Sequence, residues 1–106
     1  MDESVVVVAD PAGVIRFWSE GAETRFGWTS AQATGATLDL IVPAEHREAH
    51  WRGFRRAVEK GKAGLDGQVA PFPASCAGGA VREIAGRLTL VRDPSGQTVA
   101  VVVAFD

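Results

Sequence analysis

Strand-forming residues in this chain gather at its two ends while helix signals fill the middle, and that segregation restricts the fold more than any other feature. Alternating strands and helices can build parallel βαβ units. Strands held apart from the helices instead pair antiparallel, with the helices laid against the sheet. Residues 5–8 are four valines, and they run into Asp10-Pro11-Ala12-Gly13. That is a turn signature, because proline presets φ and glycine accepts positive φ. Residues 14–18 then read as a second strand, giving a hairpin-like start.

The helical signals follow in order. Ser19 is placed to cap a short helix over residues 20–26, with Gly27 as its stop. Thr29-Ser30-Ala31-Gln32 has the form of a capping box, and Gly35 ends that helix early. Residues 37–41 read as one more helical turn. Pro43 stands where proline suits a first turn, so residues 44–60 form the longest helix, stopped by Gly61. Three strand-like stretches close the chain, over residues 65–72, 81–91 and 98–105, the last two joined by the turn Asp93-Pro94-Ser95-Gly96. The fold class expected from this order is α+β, as a single domain over residues 1–106.

A net charge of −2 gives no electrostatic reason to expect nucleic acid or an anionic membrane as partner. The 46% hydrophobic and 23% charged fractions suit a globular chain with one core. One cysteine, Cys76, excludes an internal disulfide, and the start Met1-Asp2-Glu3-Ser4 lacks the basic region of a signal peptide. The apolar run at residues 5–8 is far too short to span a bilayer. The expectation is a soluble cytoplasmic protein.

The long helix singles out one residue. At about 100° per residue, Phe54, Ala57 and Val58 share one direction with Trp51 at its edge, and Glu48, Arg52, Arg55, Arg56 and Glu59 lie opposite. His50 falls in the apolar sector, and Arg47 shares that side one turn earlier. A buried imidazole needs a partner for its ring nitrogens, since an unpaired buried polar group costs about 1–3 kcal/mol. Either a carbonyl or side chain satisfies it, or it coordinates a metal, for which neutral imidazole is the commonest ligand. His46 and His50 are spaced i,i+4 but lack the glutamate and third ligand of a zinc site. No Cys-x-x-Cys-His occurs, so covalent heme attachment is excluded.

The run Ile15-Arg16-Phe17-Trp18-Ser19-Glu20-Gly21-Ala22-Glu23, then Phe26-Gly27-Trp28-Thr29, then Gly35 and Leu38-Asp39-Leu40-Ile41-Val42-Pro43, resembles a PAS domain. The closing Val91-Arg92-Asp93-Pro94-Ser95-Gly96 is similar to the turn before that family's last strand. The resemblance spans residues 5–105 and implies a five-stranded antiparallel sheet, short helices, and one long helix packed on one face. Within the family, Pro43-Ala44-Glu45-His46-Arg47-Glu48-Ala49-His50 is similar to the Pro-x-x-x-Arg-x-x-His pattern of the FixL-type heme-binding sensors.

That resemblance implies non-covalent heme b (iron protoporphyrin IX) with His50 as its axial metal ligand. It also implies a response to a diatomic gas (O2, CO or NO) or to redox state. Arg47 becomes a candidate for a heme propionate, with Trp51 at the rim and Phe54 beside the imidazole. The arginine that FixL-type domains carry in the first strand after the long helix is missing here, and Ala70 takes its place. Either the distal pocket is largely apolar, built from Leu65, Val69, Ile84 and Leu88, or Gln68, the one neutral polar side chain on that strand able to donate a hydrogen bond, replaces the missing donor. Gly86, at the same parity as Ile84 and Leu88, is expected to leave room beside a ligand. An apolar wall suits CO or NO better than O2. Native catalysis is not expected, since no distal acid–base residue stands on these strands, and the enzymatic alternative left open is weak peroxidase-type activity if heme is bound. The alternatives are a cofactor-free signalling module acting as a homodimer or through a partner protein, and a PAS domain for another small ligand.

Overall fold

The computed structural model describes residues 4–61 and 67–106. Strands β1 (Val5–Ala9) and β2 (Ile15–Trp18) form the opening hairpin. Helices α1 (Glu20–Phe26) and α2 (Ser30–Ala33) follow, then 3-10 turns at Leu38–Leu40 and Ala44–His46, then α3 (Arg47–Lys60). Strands β3 (Val69–Ser75), β4 (Val81–Arg92) and β5 (Thr98–Phe105) complete the chain. The five strands make one antiparallel sheet in the order β2-β1-β5-β4-β3, so the α+β architecture expected from the segregated signals is the one adopted.

Local signals hold where short-range chemistry sets them. The Ser19 hydroxyl caps α1 at Ala22 N, and Thr29 and Gln32 form the reciprocal capping box of α2. Gly61, in the left-handed region at φ 68°, ends α3 and returns its N–H to the carbonyls of Ala57 and Val58. The long helix differs at its start. Its first three residues form a 3-10 turn, and the α-helix proper begins at Arg47.

Strand register decides which side chains face inward. One cross-sheet row is Trp18, Val7, Val103 and Leu88, and the next is Phe105 opposite Val5 and Gly86. On this face Val7, Ile15, Trp18, Phe26, Ile84 and Leu90 are buried together as the core. The alternate row, Phe17, Val8 and Val102, lies on the outer face, where Phe17 is 51% exposed. The free edge of β2 is covered, because Ile15 N donates to Ala36 O and Gly35 N donates to Ile15 O.

β3 departs from the expected strand over residues 65–72. It starts at Val69 and continues to Ser75, through Pro71 and Pro73. On an edge strand every second N–H points away from its partner, so a proline at that parity removes no ladder bond. Both prolines share one parity and are exposed, leaving Ala70, Phe72 and Ala74 to face inward.

Candidate functional site

Helix α3 is tied down at both ends. Arg92 Nε donates to the carbonyl of Gly61, anchoring its C-terminus to β4. At its N-terminal end, Arg47 donates from Nε to Val42 O at 3.1 Å and from its guanidinium to Asp39 O at 3.2 Å. One turn later Trp51 Nε1 donates to Asp39 Oδ1 at 2.7 Å. The indole also lies directly over Gly13 of the β1–β2 turn, where a Cβ would collide with its Cη2 and Cζ3 atoms. Gly13 holds φ 84°, so only glycine serves both the turn and the approach of the ring.

Between these anchors the inward side of α3 presents His50, Trp51, Phe54, Ala57 and Val58. Phe54 is buried and the other four are half-buried. His50 meets Trp51 edge to face at 4.9 Å between ring centroids and Phe54 at 5.8 Å. Trp51 and Phe54 meet at 5.4 Å, so the three rings touch one another in turn. The helical spacing therefore directs His50 correctly.

His50 Nδ1 is buried and has no hydrogen-bond partner. Of the two ways to satisfy a buried imidazole, a carbonyl or side-chain acceptor is not provided at that nitrogen. Burial pushes the pKa of His50 below its ordinary 6.5, and the Asp39 carboxylate, pulling it upward, is the smaller effect. The ring is thus neutral at neutral pH, the form in which a nitrogen lone pair is free to coordinate. A buried, orphaned nitrogen on a neutral, half-buried imidazole fits a single axial ligand. Among the described residues no three His, Cys, Asp or Glu side chains gather to hold a metal ion by themselves.

The other expected residues divide. Ile84 and Gly86 are buried and Leu88 is half-buried on the inner face of β4, as their parity requires. Gly86 does not leave open room, however. A Cβ there would stand 3.0 Å from the Phe105 ring and 3.2 Å from the Phe72 ring, so those aromatics already fill the space. Val69 is 57% exposed because it shares the outward parity of Pro71 and Pro73, and Gln68 is exposed in the bend before β3, off the inner face. Leu65 lies outside the described residues. Arg47 keeps the side of the helix that spacing gives it, yet it is exposed and engaged with residues 39 and 42. The first turn of α3 overhangs the 3-10 turn at Leu38–Leu40, so Arg47 points past the core edge. His46 is exposed in the turn before α3.

Four contributors were not picked out as site residues by sequence reasoning. Phe72 and Phe105 meet edge to face at 6.0 Å between ring centroids on the inner face, and Phe105 meets Phe26 the same way at 5.2 Å. No local signal marks either, because the inward parity of β3 and β5 is fixed only by their pairing with β4. Trp28, half-buried, carries a second unpartnered buried group at Nε1, while its carbonyl accepts from Trp18 Nε1 at 2.9 Å. Asp39 was the least legible. Its only signal was a lone acid between Leu38 and Leu40 in an otherwise apolar run.

A family model described as the PAS fold matches residues 2–106. Among curated proteins, the chain is 33% identical over 45 residues to the sensor protein FixL of Bradyrhizobium diazoefficiens. That match takes in 42% of this chain and 9% of that protein, so the chain spans a small part of the relative's length. Among solved structures, it is similar to a PAS domain from Colwellia psychrerythraea, with TM-score 0.82 and 20% identity, covering 99% of this chain and 86% of that one. It is also similar to the RpfR quorum-sensing receptor PAS domain of Cronobacter turicensis in complex with C12:0, with TM-score 0.76, 16% identity and coverage of 99% and 93%. A light-oxygen-voltage domain solved with a flavin analogue gives TM-score 0.75 at 17% identity, covering 97% of this chain and 76% of that one. Identities this low establish the fold and leave the ligand to be argued from the site.

Proposed function

This chain belongs to the PAS family, whose members are sensing and signalling modules, and on that premise we propose that residues 1–106 act as one heme-binding sensor domain with His50 as axial ligand. The observation that carries this reading is the half-buried, neutral imidazole of His50, whose buried Nδ1 has no other partner. The Pro43-to-His50 spacing supports it, as does the partial similarity to a FixL sensor protein.

In this reading His50 holds non-covalent heme b from the α3 side, with Trp51 and Phe54 packed about the imidazole. Bound heme supplies an iron that takes a diatomic ligand or changes oxidation state. Ile84 and Leu88, with Phe72 and Phe105, form an apolar wall on the sheet. Such a wall excludes water and offers no donor to a bound gas, which favours CO or NO over O2. Arg47, held by Asp39 and Val42, would have to leave those carbonyls to reach a propionate. The same anchored helix gives the response a route outward, since a shift at His50 moves a helix bonded to β4 through Arg92 and Gly61.

Heme titration of the purified domain tests the reading. A Soret band that saturates at one heme per chain is expected, and it should be lost or reduced to a non-histidine spectrum in His50→Ala. An unchanged spectrum in that variant removes His50 as ligand, and no Soret band in the parent removes heme.

A second reading is a cofactor-free module that signals by pairing with another copy or a partner. The observation favouring it is the apolar outer face of the sheet, where Phe17 is 51% and Val91 41% exposed beside half-buried Val8 and Val102. A domain that refuses heme yet sediments as a dimer would select it.

A further inference from the structure

The ring of His50 has no hydrogen bond at its buried nitrogen, so its orientation depends on what packs against it. Phe54 is one neighbour and Trp51 the other. Of the two, Trp51 is fixed at both of its ends. Its Nε1 donates to Asp39 Oδ1 at 2.7 Å, and its six-membered ring is wedged against Gly13. The same Asp39 oxygen stands 3.8 Å from Arg47 Nε, and the Asp39 carbonyl accepts from the Arg47 guanidinium at 3.2 Å. Residues 47 and 51 are four apart, so both project from one side of α3. A single residue of the 3-10 turn therefore grips two successive turns of the helix, immediately before and after the position of His50.

We propose that Asp39 is the positioning residue of the His50 site, holding the imidazole in place by clamping Trp51 against Gly13. The inference rests on the reading of His50 as an axial ligand and adds to it the residue that fixes the ligand's direction. An axial bond requires the nitrogen lone pair to stay aimed at the iron, and a ring free to swing would satisfy that only part of the time. A bond from an indole N–H to a carboxylate is charge-assisted, hence shorter and stronger than a neutral one. Trp51 is thus a firm wall for the imidazole to lean on.

Four variants test this: Asp39→Ala, Asp39→Asn, Trp51→Phe, and Val7→Ala as a core variant remote from the clamp. In the heme-free domain, the indole N–H resonance of Trp51 and the ring-proton resonances of His50 are followed by NMR. In parallel, heme affinity and the absorption spectrum are recorded. Asp39→Ala is expected to expose the indole N–H to solvent exchange and shift the His50 resonances. It should also weaken heme binding about tenfold, the equivalent of roughly 1.4 kcal/mol, with a mixed-ligation spectrum. Trp51→Phe should weaken heme binding similarly. Asp39→Asn, which keeps an acceptor oxygen, should restore most of the affinity. Val7→Ala should lower the melting temperature with the parent spectrum intact.

The proposal is overturned if Asp39→Ala leaves the His50 resonances unchanged, if Asp39→Asn loses as much affinity as Asp39→Ala, or if Val7→Ala disturbs the spectrum equally. Failure of heme to bind the parent domain would refute the functional reading instead. In that outcome the resonances of His50 in Asp39→Ala still decide whether the clamp positions the ring.

Discussion

Replacing Gly13 by alanine should damage this domain through two separable effects, and the second is a test of the site. The first is backbone strain, because Gly13 holds φ 84° and an L-residue there costs about 1–2 kcal/mol. The second is steric, since the new methyl would enter the Trp51 ring, and forcing a carbon into packed space costs about 1–3 kcal/mol. Their sum, about 3.5 kcal/mol at the middle of the range, lowers the melting temperature by roughly 15 °C for a domain of this size. Gly35 supplies the control. It holds φ 94° but a Cβ there would have nothing within 4 Å, so Gly35→Ala should show the strain alone. Urea unfolding of both variants, read by far-UV circular dichroism, gives the difference directly. In a Trp51→Ala background, the further cost of Gly13→Ala should then shrink to that of Gly35→Ala, as a double-mutant cycle. Equal losses at Gly13 and Gly35, or an undiminished cost in the Trp51→Ala background, would refute the wedge.

Three further outcomes are expected. In the heme-free domain His50 has a pKa held below its ordinary 6.5 by burial, so the unfolded chain takes up its proton first as pH falls. Stability should therefore be full above pH 6.5 and decline below it until the lowered folded pKa is passed, and denaturation curves of His50→Gln should lack that decline. Asp10 accepts from Val14 N and Ala12 N at 3.0 Å each, and these bonds with Arg16 hold its carboxyl below the ordinary 3.8. Its contribution is present above that value and lost as pH falls through the lowered pKa; Asp10→Ala should cost about 1 kcal/mol at neutral pH in urea unfolding. Gly86→Ala should destabilise by about 1–3 kcal/mol, since its methyl meets the Phe72 and Phe105 rings, and a neutral or stabilising result would mean the space is open after all.

How far the site was legible depends on the range of the interaction that made each part. Ser19, Thr29 with Gln32, and Gly61 were readable because a cap joins residues three or four apart, a distance a sequence window contains. His50 was readable for the same reason, since a helix repeats its facing direction every 3.6 residues and the apolar side of α3 could be laid out from spacing. The β3 strand was harder. Gln68 and Val69 were expected on the inner face, but Gln68 precedes the strand and pairing with β4 puts Ala70, Phe72 and Ala74 inward instead. Parity along a strand has meaning only once the first paired residue is known, and pairing with β4 is what fixes it.

The sequence by itself therefore determined the segregated α+β order, the caps and stops of its helices, and the inward direction of His50. Those all follow from local periodicity and backbone chemistry. Only the tertiary structure decided that Trp51 sits over Gly13, thirty-eight positions earlier in the chain. It alone brought Asp39 beneath both Arg47 and Trp51, and it alone filled the space at Gly86 with two phenylalanines from different strands. Each of these is a contact between residues of different elements. Their partners are chosen by how the strands register and where the helix is anchored, and no single segment carries that information.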